Sequence, residues 1–165
     1  MKTFLLLFLS LFLQGISPAF AQWQVVHSGG GLNLVDGCFI SDSVGFAISS
    51  TGVVLKSSDT GTTWVQKASL TGTFHAICKA GTDTVYAAGN YVYRSADQGE
   101  TWTEVRGIGD TISDLVFFDS KNGYAIVRDL YYCIWGGPPG YYLDDYHVFK
   151  TTDGGVNWQA GFQIG

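Results

Sequence analysis

A group of sulfur, oxygen and nitrogen side chains near the C-terminal end of the chain has the types needed to bind a metal ion. Its members are Cys133, Asp144, Asp145 and His147. Soft thiolates and hard carboxylates select different metals, and the spacing of these residues matches no recognised ligand pattern. His75 and Cys78 form a smaller pair of the same kind. We therefore predict no metal site and no cofactor, and we expect the two aspartates to be solvated.

Aromatic side chains with polar tips are concentrated in residues 128–147, where they could form a binding surface. They are Tyr131, Tyr132, Trp135, Tyr141, Tyr142 and Tyr146. Such side chains supply much of the binding energy at interfaces, and long loops in compact domains are often functional. We predict that a protein partner or a glycan binds here. The alternative is that the rings cover a channel mouth or extend a β-hairpin.

Three short segments share the pattern Ser/Thr-x-Asp-x-Gly-x-Thr/Asn-Trp, and we call them the repeat turns. They are SSDTGTTW at 57–64, SADQGETW at 95–102 and TTDGGVNW at 151–158. Glycine supplies the positive φ of a tight reversal, and the aspartate and hydroxyl groups can bond to the turn's own backbone. We predict a structural role, and no catalytic role, for Ser57, Asp59, Gly61, Trp64, Ser95, Asp97, Gly99, Trp102, Thr151, Asp153, Gly155 and Trp158.

The segments around the repeat turns predict four strands per unit. Two apolar strands come first, a third leads into the repeat turn, and a fourth begins at the tryptophan. Four-stranded units of this kind are typical of β-propeller blades. The predicted fold is all-β, with three blades at about residues 22–64, 65–102 and 103–165. By this connectivity the insertion at 128–147 lies on the face opposite the repeat turns.

Three blades make an incomplete ring, because propellers close with about 4 to 8 blades. The sheets at the two ends of such a segment are open. We therefore expect either further blades in a longer protein or self-association.

The repeat turns resemble the Asp-box, or BNR, repeat. That repeat occurs in sialidases, in sortilin-type receptors and in the propellers of the photosystem II stability and assembly factor family. The segment VGFAISSTGVVLKSSDTGTTW, residues 44–64, is most similar to exported propellers that resemble the assembly factors. This resemblance implies a seven-bladed or similar ring that works through contacts with proteins.

The sialidase branch of the resemblance implies a set of catalytic residues that this chain does not match. A sialidase would bring three arginines, a tyrosine paired with a glutamate, and an acid/base aspartate. The available residues are Arg94, Arg106, Arg128, Glu100 and Glu104. No tyrosine–glutamate pair is evident, and a glycosidase needs two correctly spaced catalytic groups. We expect no enzymatic activity, with a carbohydrate-binding or sialidase-like propeller as the alternative.

Residues 1–21 have the parts of a secretory signal: Lys2, an apolar run from Phe4 to Phe12, and the small residues of SPAFA before Gln22. The apolar run is shorter than the roughly 20 residues of a membrane span, and no later stretch approaches that length. We expect an exported chain, periplasmic or secreted, with no membrane span after processing. The net charge of −5 and the absence of a Lys/Arg cluster argue against binding to nucleic acid.

The three cysteines, Cys38, Cys78 and Cys133, leave at least one thiol without an internal partner. A Cys38–Cys78 disulfide is one possibility. However, Cys38 and Cys78 occupy equivalent positions in successive units, and such positions tend to lie further apart than the roughly 7 Å that a disulfide spans between Cα atoms. The simpler prediction is a buried apolar ring of Cys38, Cys78 and Val116.

These patterns together predict an exported, non-enzymatic propeller that acts as a scaffold or protein-binding module. The partner is a protein or further blades, and a glycan is the alternative ligand.

Overall fold

The computed structural model describes residues 31–105, 108, 111–133 and 141–163, of which residues 130–133, 141–145 and 162–163 are described by their backbone. The predicted signal at 1–21, Arg106 and Trp135 lie outside these residues. The described strands are, in chain order, β1 (Leu34–Phe39), β2 (Gly45–Ser49), β3 (Val53–Ser57), β4 (Val65–Ser69), β5 (Phe74–Ala80), β6 (Thr84–Gly89), β7 (Val92–Ser95), β8 (Thr103–Val105), β9 (Thr111–Phe117), β10 (Gly123–Cys133), β11 (Tyr141–Thr151) and β12 (Gln159–Gln163).

The strands form three antiparallel sheets of four, each following the order of the chain. The first sheet contains β1–β4, the second β5–β8 and the third β9–β12. This confirms the predicted all-β class and the three four-stranded sheets. The strand that follows each tryptophan pairs with the sheet before it, so the first sheet ends at Ser69 and the second at Val105. No helix in the described part of the chain is long and apolar enough to cross a membrane.

The burial of each strand follows its composition. The second strands are short apolar runs, and the residues of β6 from Val85 to Gly89 are all buried because the second sheet lies between the other two. The fourth strands are more polar, and β4, with the sequence VQKAS, is mostly exposed at the outer edge. Apolar runs without alternation therefore mark strands covered on both faces.

Two apolar cores hold the three sheets together. The first lies between the first and second sheets and is built from Phe46, Ile48, Val54, Phe74, Ile77 and Val85, among others. The second lies between the second and third sheets and includes Tyr86, Ala88, Ile112, Leu115, Phe117 and Val127. The second sheet thus contributes to both cores, and the outer faces of the first and third sheets contribute to neither.

Cys38 and Cys78 occupy equivalent positions in the first two sheets, as their spacing predicts, and Val116 occupies that position in the third. Cys38 pairs with Phe46, Cys78 with Tyr86, and Val116 with Tyr124. Cys38 and Cys78 are free, half-buried thiols. Burial, and to a lesser degree the nearby Asp36 carboxylate, raises the pKa of Cys38 to about 12. Burial and the neighbouring Cys38 likewise raise the pKa of Cys78.

The prediction of a buried Cys–Cys–Val ring is wrong at Val116, whose exposed fraction is 45%. Cys38 packs against the core between the first and second sheets, and Cys78 packs against the core between the second and third. Val116 occupies the same position on the outer face of the third sheet, where the described residues supply no further sheet.

Candidate functional site

The repeat turns share one hydrogen-bond network centred on a buried hydroxyl. In the second turn, the Ser95 hydroxyl donates to Asp97 Oδ1 at 2.8 Å and accepts the Gly99 N–H at 2.8 Å. Asp97 in turn accepts the backbone N–H of Thr101 at 2.9 Å and its hydroxyl at 2.6 Å. The first and third turns repeat this arrangement through Ser57 and Asp59 and through Thr151 and Asp153.

The tryptophan of each repeat turn closes the same network from the other side. The indole N–H groups of Trp64, Trp102 and Trp158 donate to the carbonyls of Gly61, Gly99 and Gly155, at 3.0, 3.2 and 3.0 Å. Each of these glycines has a positive φ, between 81° and 84°. The polar atoms of the pattern are thus directed into the turn itself.

These hydrogen bonds stabilise the charged form of the three aspartates. The Thr101 hydroxyl, then the Thr101 N–H and the Ser95 hydroxyl, lower the pKa of Asp97 to about 2. The pKa of Asp59 is lowered first by the Thr63 hydroxyl, and that of Asp153 first by the Asn157 N–H. A carboxylate of this kind is a poor general acid near neutral pH, because it gives up its proton far below that range.

The aromatic insertion is a strand extension in the described residues, which is the hairpin alternative raised by the sequence. Strands β10 and β11 have eleven residues each, and their pairing runs from Gly123↔Thr151 to Cys133↔Tyr141. Within it the backbone pairs Tyr131 with Leu143 and Tyr132 with Tyr142. Tyr146 is 44% exposed. Whether these tyrosines bind a ligand stays a prediction, and Trp135 lies outside the described residues.

Strands β10 and β11 extend beyond the ends of their neighbours, β9 and β12. The first residue of β9, Thr111, pairs with Arg128, and the last residue of β12, Gln163, pairs with His147. Among the described residues, no strand pairs with the outer edge of β10 at 130–133 or of β11 at 141–146. We call this segment, residues 130–133 and 141–146, the extended hairpin.

Among the candidate metal ligands, the structure describes an acidic contact for His147. His147 Nε2 lies 3.4 Å from Asp129 Oδ2, so the histidine contacts an aspartate that the sequence did not single out. Within the described side chains there is no cluster of three or more histidine, cysteine or acidic groups that could hold a metal ion. The side chains of Cys133, Asp144 and Asp145 lie outside that description.

Of the acidic residues considered for glycosidase chemistry, Glu100 lies in the second repeat turn and Glu104 lies on β8. Glu100 accepts hydrogen bonds from Lys56 at 2.8 Å and Lys67 at 3.2 Å, which join the second sheet to the first and lower the pKa of Glu100. The expectation that no tyrosine is paired with a glutamate requires a correction, because the Tyr93 hydroxyl lies 3.5 Å from Glu104 Oε2. The two residues are direct cross-strand neighbours on β7 and β8, and such proximity follows from register alone.

Two contacts between sheets were missed by sequence reasoning. The Asp36 carboxylate on β1 accepts the Ile77 N–H of β5 at 2.8 Å. In the first two sheets, the aromatic residue of the second strand also packs on the repeat turn of the next sheet, Phe46 on Gly99 and Tyr86 on Gly155. An aspartate within an apolar strand, and an aromatic residue recurring in GFA, VYA and GYA, were the available signals.

Structural comparison identifies the architecture that these sheets build. The structure titled "YCF48 bound to D1 peptide" matches with a TM-score of 0.62 at 18% identity over 81% of this chain. YCF48 from Cyanidioschyzon merolae matches with a TM-score of 0.62 at 19% identity over 85% of it. The fold is that of a β-propeller. The WD40 β-propeller domain of Doa1 is also similar, with a TM-score of 0.50 at 13% identity over 83% of this chain.

The propeller described by these sheets is partial. The chain spans 42% and 43% of the two YCF48 chains and 57% of the Doa1 chain. No protein-family model matches the sequence, and no curated protein matches it. The likeness therefore supports the propeller fold.

Proposed function

We propose that this chain is an exported, non-enzymatic propeller that binds an extended segment of a protein partner on the extended hairpin. The observation that carries the proposal is the pair of hairpin edges that no described strand covers. An uncovered edge offers backbone N–H and C=O groups that a peptide can pair with as an added strand. Neighbouring side chains then determine which peptide is accepted.

The extended hairpin contains five tyrosines, a residue type suited to such recognition. Tyr146 is 44% exposed beside the edge, and Tyr131, Tyr132, Tyr141 and Tyr142 belong to the same segment. Tyrosine contributes large contact area with a polar tip at low entropic cost. The similar fold of YCF48, whose structure is titled as bound to a D1 peptide, supports a peptide as the class of ligand.

The absence of enzymatic activity is part of the proposal. The three repeat-turn aspartates are committed to hydrogen bonds within their turns, and Glu100 is held by two lysines. These contacts support a structural role for the four carboxylates, and not a catalytic one. Assays with sialosides and other glycosides test this part of the proposal, and measurable turnover would overturn it.

The binding role is tested by selecting linear peptides from a phage library against the immobilised chain. We expect enriched peptides to lose binding when residues 129–146 are replaced by Ser-Thr-Gly, the turn residues of the first sheet. Tyr146→Ala should weaken binding, whereas Tyr91→Ala, at a tyrosine that is 41% exposed near the β6–β7 turn, should not. Peptides that bind the shortened variant equally well would reject the hairpin as the site, and a glycan-array signal lost with the hairpin would favour the carbohydrate alternative.

A further inference from the structure

The contact between consecutive sheets has two halves, a projecting aromatic residue and a receiving turn. Tyr86 of the second sheet lies over Gly155 in the third repeat turn and donates its hydroxyl to the Gly154 carbonyl. Its ring stacks on Phe117 with 4.8 Å between centroids. Phe46 of the first sheet lies over Gly99 in the same way, so that a Cβ at Gly99 would collide with the ring. The described chain thus contains this contact twice.

The third sheet presents the projecting half on its outer face. Tyr124 stands in register where Phe46 and Tyr86 stand in the preceding sheets. Lys150 Nζ lies 5.9 Å from the Tyr124 ring centroid, as Lys56 Nζ lies 5.8 Å from that of Phe46. The same local arrangement is therefore built, but no described residue receives it.

The apolar residues around Tyr124 are exposed where their counterparts are buried. Phe118 is 71% exposed, whereas Ile40 and Ala80, at the same position, are 8% and 2% exposed. Ile126 is 39% exposed, whereas Ile48 and Ala88 are fully buried. Val116 belongs to the same face. Contiguous exposed apolar side chains mark interaction surfaces.

The first sheet presents the receiving half on its opposite face. Phe39 meets Trp64 edge-on at 6.3 Å, and Phe117 meets Trp158 edge-on at 6.0 Å in the third sheet. Phe117 is 7% exposed under the Tyr86 ring, whereas Phe39 is 44% exposed. The carbonyl of Thr60 stands in the repeat turn where Gly154 stands in the third.

We propose that a second copy of this chain completes both halves. The outer face of the third sheet in one copy packs on the outer face of the first sheet in the other. Tyr124 stacks on Phe39, and its hydroxyl donates to the Thr60 carbonyl. Two such head-to-tail contacts join six sheets, a number within the range of about 4 to 8 at which propellers close.

The occupant is a second copy because one chain carries both complementary halves. The contact it would form repeats one that already joins the second and third sheets. A face with no matching half elsewhere in the molecule would not specify its partner in this way.

Light scattering of the purified chain tests the proposal, with near-UV circular dichroism to verify folding. We expect twice the mass of one chain for the wild type. Phe118→Asp on the third sheet and Phe39→Ser on the first should each give the mass of a single chain. Tyr91→Asp, at a residue 41% exposed near a turn of the covered second sheet, is the control and should remain at twice the mass.

Mixing the two disrupted variants distinguishes the head-to-tail arrangement from other dimers. A mixed pair places both substitutions in one contact and leaves the other contact wild type, so we expect the double mass to reappear in the mixture. If Phe39→Ser loses its near-UV spectrum, Leu34→Asp replaces it. Leu34 occupies in the first sheet the position that Phe74 has in the second, and it is 44% exposed.

A folded wild-type chain of single mass would overturn the proposal. So would dimers unaffected by either substitution, or a mixture that stays at single mass. Loose or aggregating wild-type chains would indicate that the missing sheets are covalently attached in a longer protein, and would also overturn it.

Discussion

The Ser95 hydroxyl shows how one atom organises a repeat turn. It is fully buried, donates to Asp97 and accepts the N–H of Gly99. A buried N–H that loses its acceptor costs about 1–3 kcal/mol. The third turn performs the same function with Thr151, so the turn requires a hydroxyl and tolerates the extra methyl group.

Ser95→Ala should therefore lower the free energy of unfolding by about 1–3 kcal/mol, measured by urea denaturation. Ser95→Thr should remain close to the wild type because it keeps the hydroxyl. Ser58→Ala, at an exposed position of the first turn, should change stability by less than about 0.5 kcal/mol. Equal losses in Ser95→Ala and Ser95→Thr would show that side-chain volume, and not the hydrogen bonds, controls the position.

The lowered pKa of Asp97 makes the stability of the chain sensitive to acid. The pKa falls from 3.8 to about 2 in the folded state, so the unfolded chain takes up this proton first as the pH falls. The contribution of Asp97 is fully present above 3.8 and is lost as the pH approaches 2. We expect the urea midpoint to fall across this window, with a shallower fall in Asp97→Asn.

Asp59, Asp119, Asp153 and Glu100 also have lowered pKa values, so acid sensitivity should remain in Asp97→Asn. If the urea midpoint of Asp97→Asn fell with pH as steeply as that of the wild type, the assignment to Asp97 would be contradicted.

At the scale of elements, the second repeat turn and the first sheet have complementary shapes. Gly99 has a φ of +82°, and the Phe46 ring occupies the space where its Cβ would lie. The strand pattern predicts both elements, but their contact joins residues far apart in the sequence. Only the packing of the first sheet on the second brings them together.

Gly99→Ala should be more destabilising than a glycine substitution elsewhere with similar backbone geometry. Gly31 has a φ of +62° and no described atom within 4 Å of its Cβ position, so Gly31→Ala measures backbone strain without overpacking against a described residue. We expect Gly99→Ala to cost about 1–3 kcal/mol more than Gly31→Ala, because overpacking displaces the Phe46 ring. Thermal or urea unfolding of both variants measures the difference, and equal costs would mean that the ring moves aside freely.

The extended hairpin marks the limit of element prediction. Its aromatic residues have high β-propensity, yet the insertion interrupts the repeat and also fits a binding loop. The backbone pairing from Arg128↔Tyr146 to Cys133↔Tyr141 decides for strands. Propensity alone does not decide, because an exposed loop and an edge strand use the same residues.

At the scale of the whole molecule, the predicted secretory signal can be tested independently of the fold. When the full chain is expressed in a bacterial host with an export pathway, we expect the exported product to begin at Gln22, as measured by intact mass. Ala21→Asp should block this processing, because cleavage requires small residues at the site. A full-length product in the exported fraction would reject the assignment.

The sequence by itself determined the all-β class, the three four-stranded units and the repeat turns. These features depend on alternation, turn residues and a repeat, which are interactions between neighbours in the chain. The packing of Phe46 and Tyr86 on the following sheets, the bond from Asp36 to Ile77, and the exposure of Val116 were decided by the tertiary structure. They depend on which sheet lies beside which, because identical positions in the repeat become buried or exposed according to whether another sheet covers them.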